Sequence, residues 1–550
     1  MRWLLLALLP FLQAQGAQQD TQLSEIDVGR LLLLSFEGTT APLAQLDIRP
    51  AGFIFFSGNA RSAEQTRALT SRLQAAADYP LLFGIDQEGG TVSTLRDADE
   101  GGGWTLFPGN LALGAAGDPA LARAVGEAIG LELAFAGFNL NFAPVVDVAS
   151  EPENPVVGGR SFGSDPAQVG ALGAAFAAGL ERAGVAAVAK HFPGHGGTLT
   201  DSHLSLPVVT RSREGLERLE LPPFRALIDA GVPAVMSAHV VYPALDDLPA
   251  TLSKPVLTGL LRRELGFGGV VVTDALNMRA ITGRYSPGEA ALRSVQAGAD
   301  LLLLVGDEAV QNEVYRTLQA ALEDGRLGRD RVLGALSRTS KLAARYPPRN
   351  VLQNVPHPDA LRPDLVAHRA LAQKVAQRAA TLLWNDGLLP IHASQQILVV
   401  APQPRGYGDA QHLGSVFKAA RAGVRSVVIG EEPTAAERAE AVQKAATADV
   451  VVLASYHGFG AFPAGLAALE ADLAATGTPL VVVALGNPDD ARFFSARPDA
   501  YAAVYGYRDV NLQAARDLLL GKRRPGGRLP VPVATGLGET FPAGAGMEDY

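Results

Sequence analysis

Short apolar runs alternate with longer alanine- and leucine-rich segments from about residue 30 onward. The short runs are four to six residues long, which is typical of strands buried on both faces, and eight of them precede residue 305: 31–36, 53–56, 81–85, 139–143, 186–189, 234–237, 270–273 and 301–304. Helical patterns lie between them, at 63–77, 119–136, 166–183, 213–230, 255–265 and 287–297. Eight strands alternating with helices predict a (β/α)8 TIM-type barrel. A doubly wound sheet is the alternative, because strand order cannot be read from a sequence.

A proline-rich segment follows the eighth predicted unit. It spans 347–368 and predicts an inter-domain linker. Beyond it, a helical pattern at 368–382 precedes five strand-like runs, at 397–401, 427–429, 450–454, 480–484 and 502–505. This alternation predicts a second, smaller α/β sandwich domain with a mostly parallel sheet. The predicted organisation is therefore a signal peptide at 1–17, a catalytic barrel at 18–346, the linker, and a C-terminal domain at 369–550.

The N-terminus has the three-part layout of a secretory signal. Arg2 precedes an apolar run at 3–12 and a small-residue stretch at 14–17, so cleavage is expected near Gly16 or Ala17. The apolar run is too short to span a bilayer, and no later segment is long enough. We therefore expect a secreted or periplasmic protein without stable membrane insertion, and without a cysteine for a lipid anchor. A buried N-terminal helix is the alternative.

Composition narrows the function further. The chain has 550 residues, 48% hydrophobic and 19% charged, which is typical of well-packed soluble domains. The net charge of −9 is spread along the chain and predicts no nucleic-acid partner. Cysteine is absent, which excludes disulfides and thiolate nucleophiles.

The densest group of reactive side chains lies at 190–203, directly after the fifth predicted strand. It reads K-H-F-P-G-H-G-G-T-L-T-D-S-H and holds three of the nine histidines. Asp201 stands two residues before His203, where a carboxylate can accept one imidazole N–H and raise the basicity of the other nitrogen. That pairing is typical of a general acid/base.

The same segment offers a competing interpretation as a metal site. His191, His195, Asp201 and His203 are all potential ligands. Lys190 beside them disfavours a cation, and the spacing matches no common zinc signature.

Further polar groups follow other predicted strands, where a barrel places its active face. Asp86 follows the third strand, Asp147 the fourth, His239 the sixth and Asp274 the seventh. Asp274 could attack a sugar carbon in a retaining glycosidase, or it could cap the next helix. The residues alone do not separate these roles.

The segment K-H-F-P-G-H-G-x-T-x-x-D-S-H closely resembles the signature of family 3 glycoside hydrolases, in the β-N-acetylglucosaminidase (NagZ-like) branch, and the resemblance extends over most of the chain. It implies that Asp274 is a nucleophile forming a covalent glycosyl-aspartate. It implies that His203, tuned by Asp201, donates a proton to the leaving oxygen and then activates water. No metal and no cofactor are implied.

The resemblance also implies a sugar-binding set: Asp86, Arg160, Lys190 and His191. We therefore expect an exported retaining exo-β-N-acetylglucosaminidase whose partner is a GlcNAc-containing carbohydrate. Arg160 could instead be an ion-pair partner of Asp147 or Asp165, and His239 could be a satisfied core histidine.

The sequence departs from the family pattern after D-Q-E-G-G. Family members usually carry arginines at the positions of Thr91 and Thr94, whereas the first arginine here is Arg96. This difference puts the substrate preference in doubt.

Three alternative functions stay open. A β-glycoside phosphorylase would use histidine to let phosphate approach the intermediate. A metal-dependent barrel amidohydrolase would use the histidines as ligands. A non-catalytic wall-binding protein would keep the fold without turnover. A plain β-glucosidase is disfavoured, because that branch lacks the D-S-H loop.

Overall fold

Eight parallel strands form the first domain of the computed structural model, which describes residues 26–95, 104–348, 362–402, 412–456 and 462–550. They overlap the eight predicted runs and are numbered in chain order: β1 Leu32–Leu34, β2 Gly52–Phe55, β3 Leu82–Ile85, β4 Leu140–Asn141, β5 Ala186–Phe192, β6 Ala234–Ser237, β7 Val270–Thr273 and β8 Leu302–Leu304. The predicted end of the fifth strand at 189 is wrong, because β5 continues through Lys190 and His191 to Phe192.

The sheet closes on itself. Each strand from β1 to β6 pairs in parallel with the next one in the chain, and β8 returns to pair with β1. A bridge between Val272 and Leu301 joins β7 to β8 and completes the ring. The predicted barrel is confirmed, and the doubly wound alternative is wrong, because that sheet would leave two open edges.

The barrel interior is filled by alternate strand residues. Leu33, Ile54, Val188 and Val272 belong to one buried apolar cluster inside the ring, while their chain neighbours pack outward against the helices. Gly84 makes room for this packing, since a Cβ there would lie 2.9 Å from the Phe142 ring. The strands are thus buried on both faces, which explains their continuous apolar runs.

Helices surround the barrel: Ala63–Ala76, Asn110–Ala116, Pro119–Ala136, Pro166–Arg182, Arg213–Leu219, Leu221–Asp229, Arg279–Thr282, Pro287–Ala297, Glu308–Glu323 and Arg329–Arg345. The segment Pro255–Glu264 is π-helical. The prediction of a single helix at 213–230 is wrong, because this segment forms two helices that meet at Glu220. Pro222 and Pro223 lie in the first turn of the second helix, where a backbone N–H has no partner within the helix. In the interior of a single long helix, each proline would remove one hydrogen bond.

The second domain contains a six-stranded sheet: β9 Thr381–Asn385, β10 Ile397–Pro402, β11 Val424–Ile429, β12 Val450–Ser455, β13 Leu480–Ala484 and β14 Ala500–Ala503. The spatial order is β9-β14-β13-β12-β10-β11, and only β9 is antiparallel to its neighbour. Its helices are Leu365–Ala379, Leu413–Ala420, Ala435–Ala445, Ala464–Ala474 and Asp509–Leu519. The predicted α/β domain with a mostly parallel sheet is confirmed.

Two predicted boundaries in this region differ from the structure. The helix predicted at 368–382 begins at Leu365 and ends at Ala379, and β9 follows it directly. Its first turn therefore lies inside the segment predicted as linker. The strand β9 was not predicted, because its apolar residues continue the apolar pattern of the helix before it.

The two domains are joined by main-chain hydrogen bonds. The N–H of Arg528 donates to the Ala115 carbonyl at 2.9 Å, and the N–H of Ser164 donates to the Pro530 carbonyl at 2.9 Å. An ion pair between Arg492 and Glu153 adds a contact at 2.5 Å. The second domain thus packs against the side of the barrel that carries the segments after β3 and β4.

The predicted signal peptide and most of the predicted linker lie outside the described residues. Within the described ranges, no helix is both long and apolar enough to cross a membrane.

Candidate active site

A cavity of about 580 Å³ lies at the carboxyl ends of the barrel strands. Its lining includes Asp86 after β3, Lys190 and His191 in β5, and Asp274 directly after β7. His203 also lines this cavity, although it lies eleven residues beyond the end of β5. The structure therefore brings side chains from three strands and one loop around a common space, as a barrel is expected to do.

A buried cluster of two cations and two carboxylates forms one wall. Lys190 Nζ lies 2.5 Å from Asp86 Oδ1 and 2.7 Å from Glu88 Oε1. Arg160 donates to both oxygens of Glu88, from Nε at 2.9 Å and from Nη2 at 2.7 Å. Glu88 and Lys190 are each only 2% exposed. The cluster is neutral overall and holds the two cations in fixed positions.

Burial and charge shift the pKa values in this cluster. Burial would raise the pKa of Glu88, but Arg160 and Lys190 outweigh it and lower the value to about 2. Burial raises the pKa of Asp86, with Glu88 adding to the effect and Lys190 opposing it. Burial lowers the pKa of Lys190, but Asp86 and Glu88 together raise it above its usual value. Lys190 and Glu88 are therefore charged at neutral pH.

The segment carrying Asp86 and Glu88 is held by the strand next to it. The Asn141 side chain, at the end of β4, accepts from the Gln87 N–H at 3.0 Å and donates to the Gln87 carbonyl at 2.9 Å. Because Gln87 is fixed, its two neighbours project to the same side of the extended backbone.

A second buried carboxylate orients the histidine on β5. Asp147 is fully buried; one of its oxygens accepts from the His191 N–H at 3.1 Å and the His195 N–H at 2.7 Å, and the other lies 2.7 Å from His191 Nδ1. Burial lowers the pKa of His191 well below its usual range, with Arg160 adding to the effect and Asp274 opposing it. A neutral His191 donates Nδ1–H to Asp147 and keeps Nε2 as an acceptor.

Asp274 stands at the mouth of β7 and is partly exposed to the cavity. Its Oδ1 accepts from the Ala275 N–H at 2.7 Å. Burial would raise its pKa, but His239, His191, the Ala275 N–H and Lys190 outweigh it and lower the value. The carboxylate is thus ionised at neutral pH, as a nucleophile must be.

The capping alternative for Asp274 is wrong. The next helix is Arg279–Thr282, its N-cap residue is Met278, and no side chain caps it.

The Asp201–His203 pair lies on the loop after β5. Asp201 Oδ1 lies 2.8 Å from His203 Nδ1 and accepts from the His203 N–H at 2.8 Å. The His203 side chain is 64% exposed. Since Nδ1 faces a carboxylate, Nε2 remains for proton exchange with a ligand.

Ser202 anchors this loop between the half-buried Asp201 and the exposed His203. It is 2% exposed; its hydroxyl lies 3.2 Å from His195 Nε2, and its carbonyl accepts from the Ala280 N–H at 3.3 Å. The second contact ties the loop to the segment that follows Asp274. The loop that carries His203 is thus hydrogen-bonded to Ala280, which stands six residues after Asp274.

The metal-site interpretation is not supported by this arrangement. Across the described ranges, no group of three or more His, Asp or Glu side chains is placed to hold a metal ion. The imidazoles of His191 and His195 already have hydrogen-bond partners. His191 faces Asp147, and His195 Nδ1 lies 2.9 Å from Thr198 Oγ1.

Comparison with known proteins assigns the family. Residues 25–342 match the glycosyl hydrolase family 3 N-terminal domain, and residues 380–548 match the family 3 C-terminal domain. The chain belongs to glycosyl hydrolase family 3. The resemblance seen in the sequence and the prediction of a glycoside hydrolase are both confirmed.

Several relatives are β-hexosaminidases or N-acetylglucosaminidases. The chain is 38% identical to β-hexosaminidase A of Pseudoalteromonas piscicida. The matched region covers 63% of this chain and 61% of that protein. It is 40% identical to a β-hexosaminidase of Alkalilimnicola ehrlichii over 52% of this chain and 84% of that protein. A solved family 3 β-N-acetylglucosaminidase from Paenibacillus sp. str. FPU-7 superimposes with a TM-score of 0.85 at 37% identity, covering 92% of this chain and 98% of that one.

Thr91 and Thr94, which stand where family members usually carry arginines, line two different cavities. Thr94 lines the barrel cavity, and its hydroxyl donates to the Asp86 carbonyl at 2.8 Å. Thr91 instead lines a neighbouring cavity between the domains. Arg96 lies outside the described residues.

Glu88 was not among the predicted site residues, and Arg160 has a different partner from the two predicted alternatives. Arg160 pairs with Glu88, whereas Asp147 binds His191 and Asp165 caps the helix that begins at Pro166. The ion-pair alternatives with Asp147 and Asp165 are therefore wrong. Glu88 could have been found from its spacing, because it stands two residues after Asp86 in an extended segment.

His239 is a buried histidine with both ring nitrogens hydrogen-bonded. Nδ1 lies 2.8 Å from Thr251 Oγ1, and Nε2 lies 3.0 Å from the Ala275 carbonyl. Burial lowers its pKa, although Asp274 opposes the shift. It therefore supports the backbone beside Asp274.

Proposed function

We propose that this chain is an exported, retaining exo-β-N-acetylglucosaminidase that releases terminal GlcNAc from saccharides or cell-wall fragments. The observation that carries the proposal is that the Asp274 carboxylate and the His203 imidazole line the same cavity. The names of the relatives point to the same activity, and the N-terminal pattern of charge and hydrophobicity supports export.

In the first step, an Asp274 oxygen attacks the anomeric carbon while the bond to the leaving oxygen breaks. Protonated His203 gives its Nε2 proton to that oxygen, and a covalent glycosyl-aspartate forms. In the second step, neutral His203 takes a proton from water. The water oxygen then attacks the anomeric carbon and frees the Asp274 carboxylate, so the sugar keeps its β configuration.

An imidazole suits this site electrostatically. As it gives up its proton it changes from cation to neutral, so it adds no second negative charge beside Asp274. Asp201 accepts from Nδ1 and so holds the ring in one orientation in both states.

The terminal sugar occupies the space beside the buried cluster. Asp86, which is partly exposed, and the edges of Lys190 and Arg160 supply acceptors and donors for its hydroxyls. His191 supplies an acceptor at Nε2. These groups are held by Glu88 and Asp147, so little reorganisation is needed when the sugar binds.

The test is a panel of aryl β-glycosides of GlcNAc, GalNAc and glucose, with product stereochemistry read by NMR. We expect the GlcNAc glycoside to be preferred and the first product to be β-GlcNAc. Release of α-GlcNAc, or preference for the glucoside, would refute the proposal.

A phosphorylase is the second candidate, because the donor at this site is a histidine and Lys190 and Arg279 also line the cavity. Phosphate could then approach the intermediate without facing a second carboxylate. Formation of GlcNAc 1-phosphate when phosphate is added would favour this candidate over hydrolysis.

A further inference from the structure

The segment 199–206, which carries His203, is held to the barrel through one buried residue. Within it Ser202 is buried, whereas all the other residues are exposed or half-buried. The side chains of Leu199 and Leu204 are among the most exposed large apolar groups of the described chain. A segment with so little apolar burial depends for its position on the contacts of its buried residue.

Across the described ranges, every hydrogen bond that leaves this segment involves Ser202. Its carbonyl accepts from the Ala280 N–H at 3.3 Å, and its hydroxyl lies 3.2 Å from His195 Nε2. The other hydrogen bonds of the segment join Asp201 to the residues that follow it. The side-chain contact between Ser202 and His195 is therefore one of two links between the segment and the barrel.

His195 is itself firmly held. It is 1% exposed, and its N–H donates to the buried Asp147 carboxylate at 2.7 Å. The His195 carbonyl accepts from the Asn154 amide at 2.8 Å and from the Thr198 hydroxyl at 3.1 Å. These partners all lie outside the segment 199–206, so the ring is a fixed point to which that segment is attached.

The contacts of the ring define the direction of its hydrogen bond with Ser202. Burial lowers the pKa of His195, although Asp147 opposes the shift, so the ring is neutral at neutral pH. The Thr198 hydroxyl donates its proton to the His195 carbonyl, and its oxygen accepts from Nδ1–H at 2.9 Å. Nε2 is then an acceptor, and the Ser202 hydroxyl donates to it. An alanine at position 202 would leave this buried nitrogen without its donor.

This hydrogen bond lies next to the reacting groups. His195, Ser202 and His203 line the barrel cavity together with Asp274. Because His203 directly follows Ser202 in the chain, a shift of the serine would move the imidazole relative to the Asp274 carboxylate. Attack and proton donation in one step require both groups to keep their places around the same glycosidic bond.

We propose that His195 is a positioning residue, which acts through the Ser202 hydroxyl to hold the His203 imidazole where it can protonate the leaving oxygen. This inference rests on the proposed function, which makes His203 the general acid. It gives His195, which the sequence offered as a potential metal ligand, a part in proton transfer that does not require it to carry the proton.

The dependence of the rate on the leaving group tests this role. In the full chain, Ser202→Ala should lower kcat/KM for the methyl glycoside of GlcNAc at least about threefold, since it removes a hydrogen bond to a buried group. It should barely change the rate for a dinitrophenyl glycoside, because that leaving group needs little help from an acid. A purely structural defect would lower both rates alike. Equal effects on the two glycosides, including no effect on either, would overturn the inference.

A double variant tests whether the two side chains act together. His195→Ala should show the same leaving-group pattern, and adding Ser202→Ala to it should lower the rate less than about twofold further, because the shared contact is already lost. Losses that simply multiply would contradict the inference. The matched control is Ser294→Ala, which removes a buried serine hydroxyl that donates to the Ala290 carbonyl at 2.8 Å in the helix Pro287–Ala297. It should alter neither rate.

Hydrogen exchange separates this inference from the proposed function, because it requires no turnover. Since the Ala280 N–H donates to the Ser202 carbonyl, the peptide that contains Ala280 and the peptide 199–206 should exchange about three- to tenfold faster in Ser202→Ala. Neither should change in Ser294→Ala. If the unchanged protein hydrolyses no GlcNAc glycoside, the proposed function fails. If it hydrolyses both glycosides while Ser202→Ala keeps the original exchange and substrate ratio, only the inference fails.

Discussion

Glu88 is predicted to hold Lys190 and Arg160, the two cations proposed to bind the sugar, and Glu88→Gln tests this. In the structure its carboxylate receives two hydrogen bonds from Arg160 and one from Lys190, at 2.7 to 2.9 Å. Glutamine keeps one acceptor oxygen and turns an NH2 group toward a cation, so at least one of the three contacts is lost and both cations lose the negative charge they face. Hydrogen bonds to charged groups contribute about 1.5–3 kcal/mol each. Because the two buried cations are also left without their counter-charge, the expected loss is about 3–5 kcal/mol, the cost of breaking a buried ion pair.

This loss should appear in both stability and activity. We expect urea unfolding to show a lower free energy of unfolding for the barrel, by about 3 kcal/mol. We also expect kcat/KM for an aryl GlcNAc glycoside to fall at least about 100-fold, because Arg160 and Lys190 lose the anion that orients them.

The matched control is Glu217→Gln, which breaks an exposed pair with Arg213 at 3.0 Å. A surface pair of this kind contributes at most about 1 kcal/mol, so stability and activity should barely change. The account of the cluster is refuted if Glu88→Gln resembles the control in both measurements.

Three further predictions concern other groups. Asp274→Ala should lower turnover of every glycoside by several orders of magnitude, and near-normal steady-state rates would exclude it as the nucleophile. His203→Ala should reduce kcat about 10²–10⁴-fold for poor leaving groups and much less for activated aryl glycosides; equal losses on both would count against the acid role. Glu220 has a pKa raised to about 7, from the ordinary value of 4.5, because burial outweighs its pairing with Arg211. Unfolding releases that carboxyl to ionise, so stability should decline as pH rises from 4.5 to 7. Glu220→Gln should remove about 3 kcal/mol of that decline, and parallel pH profiles in thermal unfolding of the two proteins would show that Glu220 does not cause it.

The barrel strands were predictable because each is buried on both faces. A run such as 186–189 has no polar position, and that pattern survives without knowledge of its neighbours. By contrast, β9 could not be recognised in the sequence, because no run of polar residues separates Thr381–Asn385 from the helix before it. Its identity depends on antiparallel pairing with β14, more than a hundred residues later.

The residues of the candidate site were likewise only partly predictable from the sequence. Asp274, Asp86 and the loop with Asp201 and His203 could be named because they directly follow strands or stand in a long motif. The partners that hold the site could not be named, since Arg160 meets Glu88 across 72 residues of chain. Such pairs depend on closure of the barrel, as the cavity between the domains depends on docking of the second domain.

In the proposed mechanism Asp274 becomes covalently attached to the sugar. The most direct measurement treats the protein with a fluorinated GlcNAc donor whose intermediate breaks down slowly, and then locates the added mass by peptide mass spectrometry. We expect one sugar per chain, attached to the peptide that contains Asp274, and no label in Asp274→Ala. Label on another carboxylate, or β-GlcNAc release without any accumulated adduct, would contradict it.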